Sequence, residues 1–176
     1  RRENILNEYS FKKIISLLNN IENSNVIFPM GYKTQEILNK SGILLNNNVK
    51  VLDPIGYLEF MFLLKNSKFV ATDSGTVVEE ACILNVPSIQ MRYSTERPEV
   101  YDVKASIKFD PTKSSTNNED ILSSVNNLKR GWDNPFGDGN SSELIVSDLI
   151  ELSKTNNFKK HNPSDYSFDT SRSFKE

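Results

Sequence analysis

The sequence predicts an α/β fold with a Rossmann-like, doubly wound parallel sheet, and two observations support this prediction. Short apolar, β-branched runs start about 20 residues apart, and the segments between them carry apolar residues at intervals of three and four. Strands that alternate with single helices run parallel with right-handed crossovers, which puts helices on both faces of the sheet. An α+β domain with mixed strands stays open as the alternative.

The predicted elements follow this alternation along the chain. The strand-like runs are residues 26–28, 49–52, 69–72, 87–91 and 106–109. Helical periodicity is clearest over residues 14–21 and 57–64, and a helix over 119–129 ends before Gly131. Ser141 and Ser142 can cap a last helix that reaches about residue 152. We therefore expect one domain over residues 1–153, followed by a peripheral or disordered tail over 154–176.

Composition excludes several classes of protein. The chain has 176 residues, with 21 Lys and Arg against 23 Asp and Glu. Nucleic acid is an unexpected partner, because binding to a phosphate backbone needs an excess of basic residues. No apolar run approaches the ~20 residues of a membrane helix, so we expect no membrane insertion. Cys82 is the only cysteine, which rules out an internal disulfide and fits a cytoplasmic location. The chain begins with Arg1, so we expect it to be part of a longer protein.

The segment 69–80 is the most informative candidate site. Its apolar strand ends in Thr72-Asp73-Ser74-Gly75-Thr76 and continues into a helix. Ligands of open parallel sheets bind outside the carboxyl ends of the strands, where this loop falls. The glycine permits close backbone approach, and the unpaired N–H groups of the helix start favour an anion. The alternative is an ordinary strand-to-helix turn in which Asp73 or Ser74 only caps the helix.

Further donors and acceptors lie near this loop in the sequence. A helix dipole contributes only about 0.3–1 kcal/mol at a surface charge, so phosphate binding needs a positioned group such as Arg97. Glu79 and Glu80 can complement the helix dipole, or one of them can accept hydrogen bonds from the two hydroxyls of a ribose. We expect Cys82 to pack in the core rather than act as a nucleophile. His161, the single histidine, lies in the polar tail, where we expect an ordinary surface role.

Several motifs, in order, resemble the C-terminal half of the non-hydrolysing UDP-N-acetylglucosamine 2-epimerases. The resemblance covers about residues 1–150, and its motifs are Arg1-Arg2-Glu3-Asn4, Gly56-Tyr57-Leu58 with Phe60, Thr72-Asp73-Ser74-Gly75 with Glu79-Glu80, Thr95-Glu96-Arg97-Pro98-Glu99 and Asn134-Pro135-Phe136-Gly137-Asp138-Gly139. It implies the C-terminal half of a GT-B architecture, in which two Rossmann-like domains enclose a UDP-sugar.

The resemblance assigns roles to individual residues. Phe60 would pack against the uracil, although its position in the apolar periodicity of the helix also fits a residue that packs in the core. Ser74, Gly75 and Thr76, through the hydroxyl and the following amides, would hold the diphosphate. Glu80 would accept the ribose hydroxyls, and Arg97 would reach toward the diphosphate. The catalytic acid and base would lie outside this chain, in the missing N-terminal domain and in a histidine before Arg1.

The implied reaction eliminates UDP and adds it back after protonation at C2 from the other face, in the synthesis of cell-surface polysaccharide precursors. It needs no metal and no nicotinamide cofactor, and the fragment alone would be inactive. The family is commonly dimeric, so a homodimer is possible. Thr76 stands where many members of the family have a second glycine. Pro29-Met30-Gly31-Tyr32 stands where many members have a segment that contains a histidine. These departures leave two alternatives open: a 6-deoxy UDP-HexNAc 2-epimerase of the L-fucosamine pathway and a non-catalytic nucleotide-binding module. Half of a GT-B glycosyltransferase is a third alternative, because such enzymes share the architecture and also hold the ribose with a Glu on this domain.

Overall fold

The structure, a computed structural model, describes residues 1–155 and has the predicted alternation of strands and helices. The strands are β1 (Val26–Pro29), β2 (Val49–Leu52), β3 (Val70–Thr72), β4 (Ser88–Met91) and β5 (Ser106–Phe109). The helices are α1 (Arg2–Leu6), α2 (Glu8–Asn19), α3 (Tyr32–Ser41), α4 (Tyr57–Lys65), α5 (Gly75–Ile83), α6 (Glu99–Asp102), α7 (Asn118–Asn126) and α8 (Ser141–Thr155). All five predicted strands are therefore confirmed within one or two residues.

Every strand pair in residues 1–155 is parallel, which confirms the α/β class and excludes the mixed-strand alternative. β1 pairs with β2, and β4 lies between β3 and β5. The hydrogen-bonded ladders thus form a two-stranded and a three-stranded sheet, where the sequence predicts one continuous sheet. Helix α2 joins the two groups, because Leu17 packs on the three-stranded sheet while Ile15 and Leu18 pack with the side chains of β1.

Side chains alternate across the three-stranded sheet, so each face has its own helices. Ile89 and Phe109 lie in a core cluster with Leu17 of α2 and Val125 of α7. On β3, Ala71 packs toward this cluster, whereas Val70 packs toward α4 and α5. Helices therefore cover both faces, as the period of two in the strands requires.

The face that carries α5 is the one that positions the candidate site. Val78 and Cys82 of α5 are buried with Val100 of α6, and Ala81 is buried with Leu64 of α4. Helix α5 is thus held on both sides by apolar contacts. Its N-terminus has a fixed position next to the carboxyl end of β3.

The chain divides into two compact units, residues 1–136 and the unit that begins at Gly137. In the second unit, α8 carries exposed apolar side chains such as Leu144 and Ile145. It extends to Thr155, slightly beyond the predicted end near residue 152. A single domain over 1–153 stays a prediction, and residues 156–176 of the predicted tail, with His161, lie outside the described residues. No helix in residues 1–155 is long and apolar enough to cross a membrane.

A matched pair of isoleucines tests this assignment of core and surface. Ile89 is fully buried in β4, whereas Ile27 in β1 is 48% exposed. Ile89→Val should lower the free energy of unfolding by about 0.5–1.5 kcal/mol because it leaves a small cavity, and Ile27→Val should have little effect. Urea denaturation followed by circular dichroism measures both changes. Equal losses in the two variants would contradict the proposed packing.

Candidate nucleotide site

The turn between β3 and α5 lies at the carboxyl end of the strand, as predicted. Ser74 is the N-cap of α5, and its hydroxyl accepts a hydrogen bond from the N–H of Val77 at 3.4 Å. Thr72 Oγ1 accepts the N–H of Ser74 at 3.1 Å, which closes the turn. Ser74 is therefore a helix cap, as the alternative interpretation held. The same turn directs the first amides of α5 toward the end of the sheet where ligands bind in this class of fold.

Asp73 does not cap the helix but anchors the beginning of the chain. The amide of Asn4, a buried residue, donates to Asp73 Oδ2 and to the carbonyl of Met91, both at 3.0 Å. Arg1 Nε donates to the carbonyl oxygen of Asp73 at 3.0 Å. These bonds join α1 to the ends of β3 and β4. The first motif of the sequence and the Thr72–Thr76 turn are thereby brought together, although they lie about 70 residues apart.

Gly75 lies against a pair of oppositely charged side chains. A Cβ on Gly75 would lie 2.6 Å from Glu96 Oε1 and 3.7 Å from Arg92 Nη1. Arg92 Nη1 donates to Glu96 Oε2 at 2.6 Å, and Arg1 Nη2 lies 3.4 Å from Glu96 Oε1. A side chain here would require Glu96 to move. The N-terminus of α5 therefore faces one carboxylate that is held by two guanidinium groups.

The two members of this pair differ in exposure. Arg92 is only 7% exposed, and its Nε is buried with no hydrogen-bond partner within residues 1–155. Glu96 is 45% exposed. Partial burial acts to raise the pKa of Glu96, but its own backbone N–H and the charges of Arg92 and Arg1 together hold that pKa below the ordinary value. Glu96 is therefore an anion at neutral pH.

Arg97 lies next to α5 but is paired with a carboxylate. Its Nε donates to Glu79 Oε1, and its Nη1 donates to the carbonyl oxygen of Glu96 at 3.0 Å. Glu79 lies one turn into α5, so the Arg97 guanidinium is beside the helix rather than beyond its N-terminus. The assignment of Arg97 to a diphosphate stays a prediction. It requires rotation of the side chain away from Glu79.

Hydrogen bonds that involve the buried Gln90 and the side chain of Thr95 fix the loop that carries these charges. Gln90, fully buried at the end of β4, donates from its amide to Thr95 Oγ1 at 2.8 Å and accepts the hydroxyl of Tyr101. Thr95 Oγ1 also accepts the backbone N–H of Arg97 at 3.1 Å. Burial raises the pKa of Tyr101 to about 12, against the opposing effect of the Arg92 charge. Tyr101 thus stays protonated and can donate its hydrogen bond at neutral pH.

Helices α4 and α5 bring an aromatic and an acidic side chain together. Phe60 is half-buried against Leu64 and Ala81, which leaves part of the ring accessible. The hydroxyl of Tyr57, at the beginning of α4, donates to Glu80 Oε1 at 3.0 Å. That hydrogen bond, and to a smaller extent the negative charge of Glu80, raises the pKa of Tyr57. The predicted uracil and ribose residues therefore belong to one pair of packed helices.

The structure adds residues that the sequence interpretation missed. Ser74, Gly75 and the exposed Thr76 begin α5, as predicted, and Glu80 lies on the same helix. Arg92 and Glu96 were not assigned a role, although Arg92 directly follows the predicted strand 87–91 at the edge where ligands bind. Tyr57 was part of a motif without an assigned role. A search of every strand's carboxyl end for charged residues would have found Arg92.

Other features of the described residues lie away from this turn. A shallow cleft of about 450 Å³ lies between α2 and the beginning of α7. A second shallow cleft, of about 530 Å³, lies beside the loops that precede β1 and β2. Cys82 is buried in the core as predicted, burial raises the pKa of its thiol, and its carbonyl accepts the indole N–H of Trp132 at 2.9 Å. Residues 1–155 contain no group of three His, Cys, Asp or Glu side chains that could hold a metal ion.

Comparisons with known proteins agree on one family. The family model described as UDP-N-acetylglucosamine 2-epimerase matches residues 1–150. A relative named UDP-N-acetylglucosamine 2-epimerase, from Methanococcus maripaludis, is 43% identical over 84% of this chain. A relative from Pseudomonas aeruginosa, named UDP-2,3-diacetamido-2,3-dideoxy-D-glucuronate 2-epimerase, is 30% identical over 86% of the chain. The chain spans 42% and 43% of the lengths of these relatives, respectively.

Solved structures give the same result. The Methanocaldococcus jannaschii UDP-GlcNAc 2-epimerase, in complex with UDP-GlcNAc and UDP, aligns with a TM-score of 0.73 and 38% identity. The alignment covers 86% of this chain and 43% of that one. The Staphylococcus aureus MnaA–UDP structure aligns with a TM-score of 0.64 and 27% identity, over 95% of this chain and 46% of that one. These alignments confirm the Rossmann-like fold.

The contact between Tyr57 and Glu80 can be tested by titration. Glu80→Gln removes the negative charge that favours the neutral phenol, so the pKa of Tyr57 should fall toward the ordinary tyrosine value. NMR of protein with 13C-labelled tyrosine follows each phenol separately as the pH rises. Glu22→Gln makes the same change of charge near the amino end of β1 and should leave the Tyr57 titration unchanged. An unchanged Tyr57 pKa in Glu80→Gln would contradict the contact.

Proposed function

This chain belongs to the UDP-N-acetylglucosamine 2-epimerase family, and from that premise we propose that it is the UDP-binding half of an enzyme that interconverts UDP-N-acetylglucosamine and UDP-N-acetylmannosamine. The family makes the full-length protein an isomerase. The described residues supply binding groups for a nucleotide, and we place the proton-transfer groups outside this chain. This division between a binding half and a proton-transfer half fits the GT-B architecture that the sequence implies, because the chain spans about 43% of the solved epimerase.

The observation that carries the proposal is the order of chemical groups along α5. Phe60 and Glu80, with Tyr57, form an aromatic and acidic surface next to the middle of the helix, and the capped turn at Ser74 begins it. A uridine diphosphate has the matching order of base, ribose and diphosphate. An aromatic face suits the base, a carboxylate accepts two ribose hydroxyls, and helix amides bind the diphosphate.

In the proposed reaction this domain stabilises the leaving group. Cleavage of the anomeric C–O bond leaves both bonding electrons on the UDP oxygen, so negative charge grows on the diphosphate. Amides of Gly75 and Thr76 that are fixed in the turn before the reaction would lower this barrier, because they need no reorganisation as the charge develops. The Ser74 hydroxyl is held in the same turn by its bond to Val77.

Elimination of UDP also requires a base that removes the C2 proton, and re-addition requires an acid that protonates the other face of C2; the proposal places both groups in the N-terminal half. Asp73 supports this division, because its bonds to Asn4 and Arg1 hold the beginning of α1 beside the diphosphate turn. A residue that precedes Arg1 would then lie near the leaving group. A homodimer and a cytoplasmic location remain predictions. The 6-deoxy UDP-HexNAc sugars remain alternative substrates, since the sugar would contact groups outside this chain.

Calorimetric titration with uridine, UMP and UDP tests the site. The affinity should rise with each phosphate, and the UDP dissociation constant should lie between about 10 µM and 1 mM because half of the cleft is missing. Arg97→Ala should weaken UDP binding more than uridine binding, whereas Glu80→Ala should weaken both. The chain alone should convert no UDP-sugar.

Lys129→Ala provides the matched control, because it removes a positive charge from an exposed position after α7. It should leave all three affinities unchanged. A uridine affinity equal to that of UDP would contradict the diphosphate assignment of Ser74, Gly75 and Thr76. Equal losses of uridine and UDP binding in Arg97→Ala would reject only the role of Arg97.

A further inference from the structure

The Arg92–Glu96 pair has the chemistry of an occupied anion site. The Glu96 carboxylate lies where a side chain on Gly75 would have to go, at the first residue of α5. It accepts a hydrogen bond from Arg92 Nη1 at 2.6 Å and lies 3.4 Å from Arg1 Nη2. A helix N-terminus and two guanidinium groups are the donors that phosphate groups prefer. In this structure a carboxylate of the chain itself occupies their centre.

The burial of Arg92 indicates that this cation serves more than the single carboxylate. Burying a guanidinium is costly unless its donors are paired, and Arg92 is only 7% exposed. Its Nε has no hydrogen-bond partner among residues 1–155. A guanidinium presents five N–H donors in a planar fork, which matches a phosphate bidentately. Arg92 therefore has a buried donor, Nε, that Glu96 does not use, on a guanidinium whose Nη1 lies at the beginning of α5.

Glu96 is suited to be a displaceable group. Its side chain is 45% exposed, so the carboxylate can rotate into solvent without unfolding the loop. The loop itself is held by other atoms, since Thr95 Oγ1 accepts bonds from Gln90 and from the backbone of Arg97. The backbone position of Glu96 can thus stay constant while its carboxylate moves.

We propose that Arg92 is a diphosphate-binding residue and that the Glu96 carboxylate occupies its site until a nucleoside diphosphate displaces it. This inference rests on the proposed function for the identity of the nucleotide. Glu96 keeps the buried charge of Arg92 compensated when the site has no nucleotide. Displacement has a cost, so Glu96 lowers the affinity for UDP and favours release of the nucleotide.

Two variants test the proposal by titration with UDP, uridine and inorganic pyrophosphate. Glu96→Gln removes the competing charge at a half-exposed position and should tighten binding of UDP and pyrophosphate about threefold to tenfold, with uridine unchanged. Arg92→Lys keeps the buried charge but loses the planar guanidinium that can donate two parallel hydrogen bonds. It should weaken the binding of UDP and of pyrophosphate about tenfold. Glu22→Gln is the control for the change of charge. Circular dichroism checks that each variant is folded.

The outcomes separate this inference from the proposed function. If the parent chain binds UDP more tightly than uridine, but Glu96→Gln leaves UDP binding unchanged or weaker, the inference is overturned and the proposed function stands. If pyrophosphate binds and responds to Glu96→Gln, while UDP binds no better than uridine, the anion site stands and the nucleotide assignment fails. If neither phosphate ligand binds any of the proteins, both are overturned. An Arg92→Lys variant that is folded but binds UDP as tightly as the parent removes Arg92 from the site.

Discussion

The close packing of Gly75 against the Arg92–Glu96 pair is the constraint on which the proposed site depends. A Cβ at the first position of α5 would displace the Glu96 carboxylate, and the same contact brings two arginines to the N-terminus of that helix. The apolar contacts of α5 with α4 and α6 fix the direction of the helix axis. Backbone amides, helix dipole and side-chain cations therefore converge on one small volume at the carboxyl edge of β3 and β4.

The same helix connects the proposed diphosphate end of the site to the proposed nucleoside end. Glu80 accepts the hydroxyl of Tyr57 across the contact between α4 and α5, and Phe60 packs against the apolar cluster that joins the same two helices. Asp73 holds Asn4 and Arg1 on the other side of the turn. Candidate binding residues from four separated motifs thus surround the first turns of α5. In the proposed reaction their common effect is to hold UDP while its bond to the sugar breaks and forms.

The fold and part of the site could be predicted from the sequence because both depend on local patterns. Apolar periodicity located the five strands, and the Ser74-Gly75 pair after a strand located the helix start. The division of the ladders into two sheets could not be predicted, since apolar periodicity does not specify which strands pair. The contact of Arg92 and Glu96 with Gly75 could not be predicted for a related reason, because it is a tertiary contact over about 20 residues. The Arg97–Glu79 pair likewise became visible only in three dimensions.

The central claim is that the first amides of α5 bind the diphosphate of UDP. The most direct measurement is an NMR titration of the 15N-labelled chain that follows the backbone amides of Gly75, Thr76 and Val77. The account predicts that these signals shift on addition of UDP and stay constant on addition of uridine. Constant signals at all three amides in saturating UDP, with shifts confined to the cleft between α2 and α7 or to the cleft beside the loops that precede β1 and β2, would contradict it.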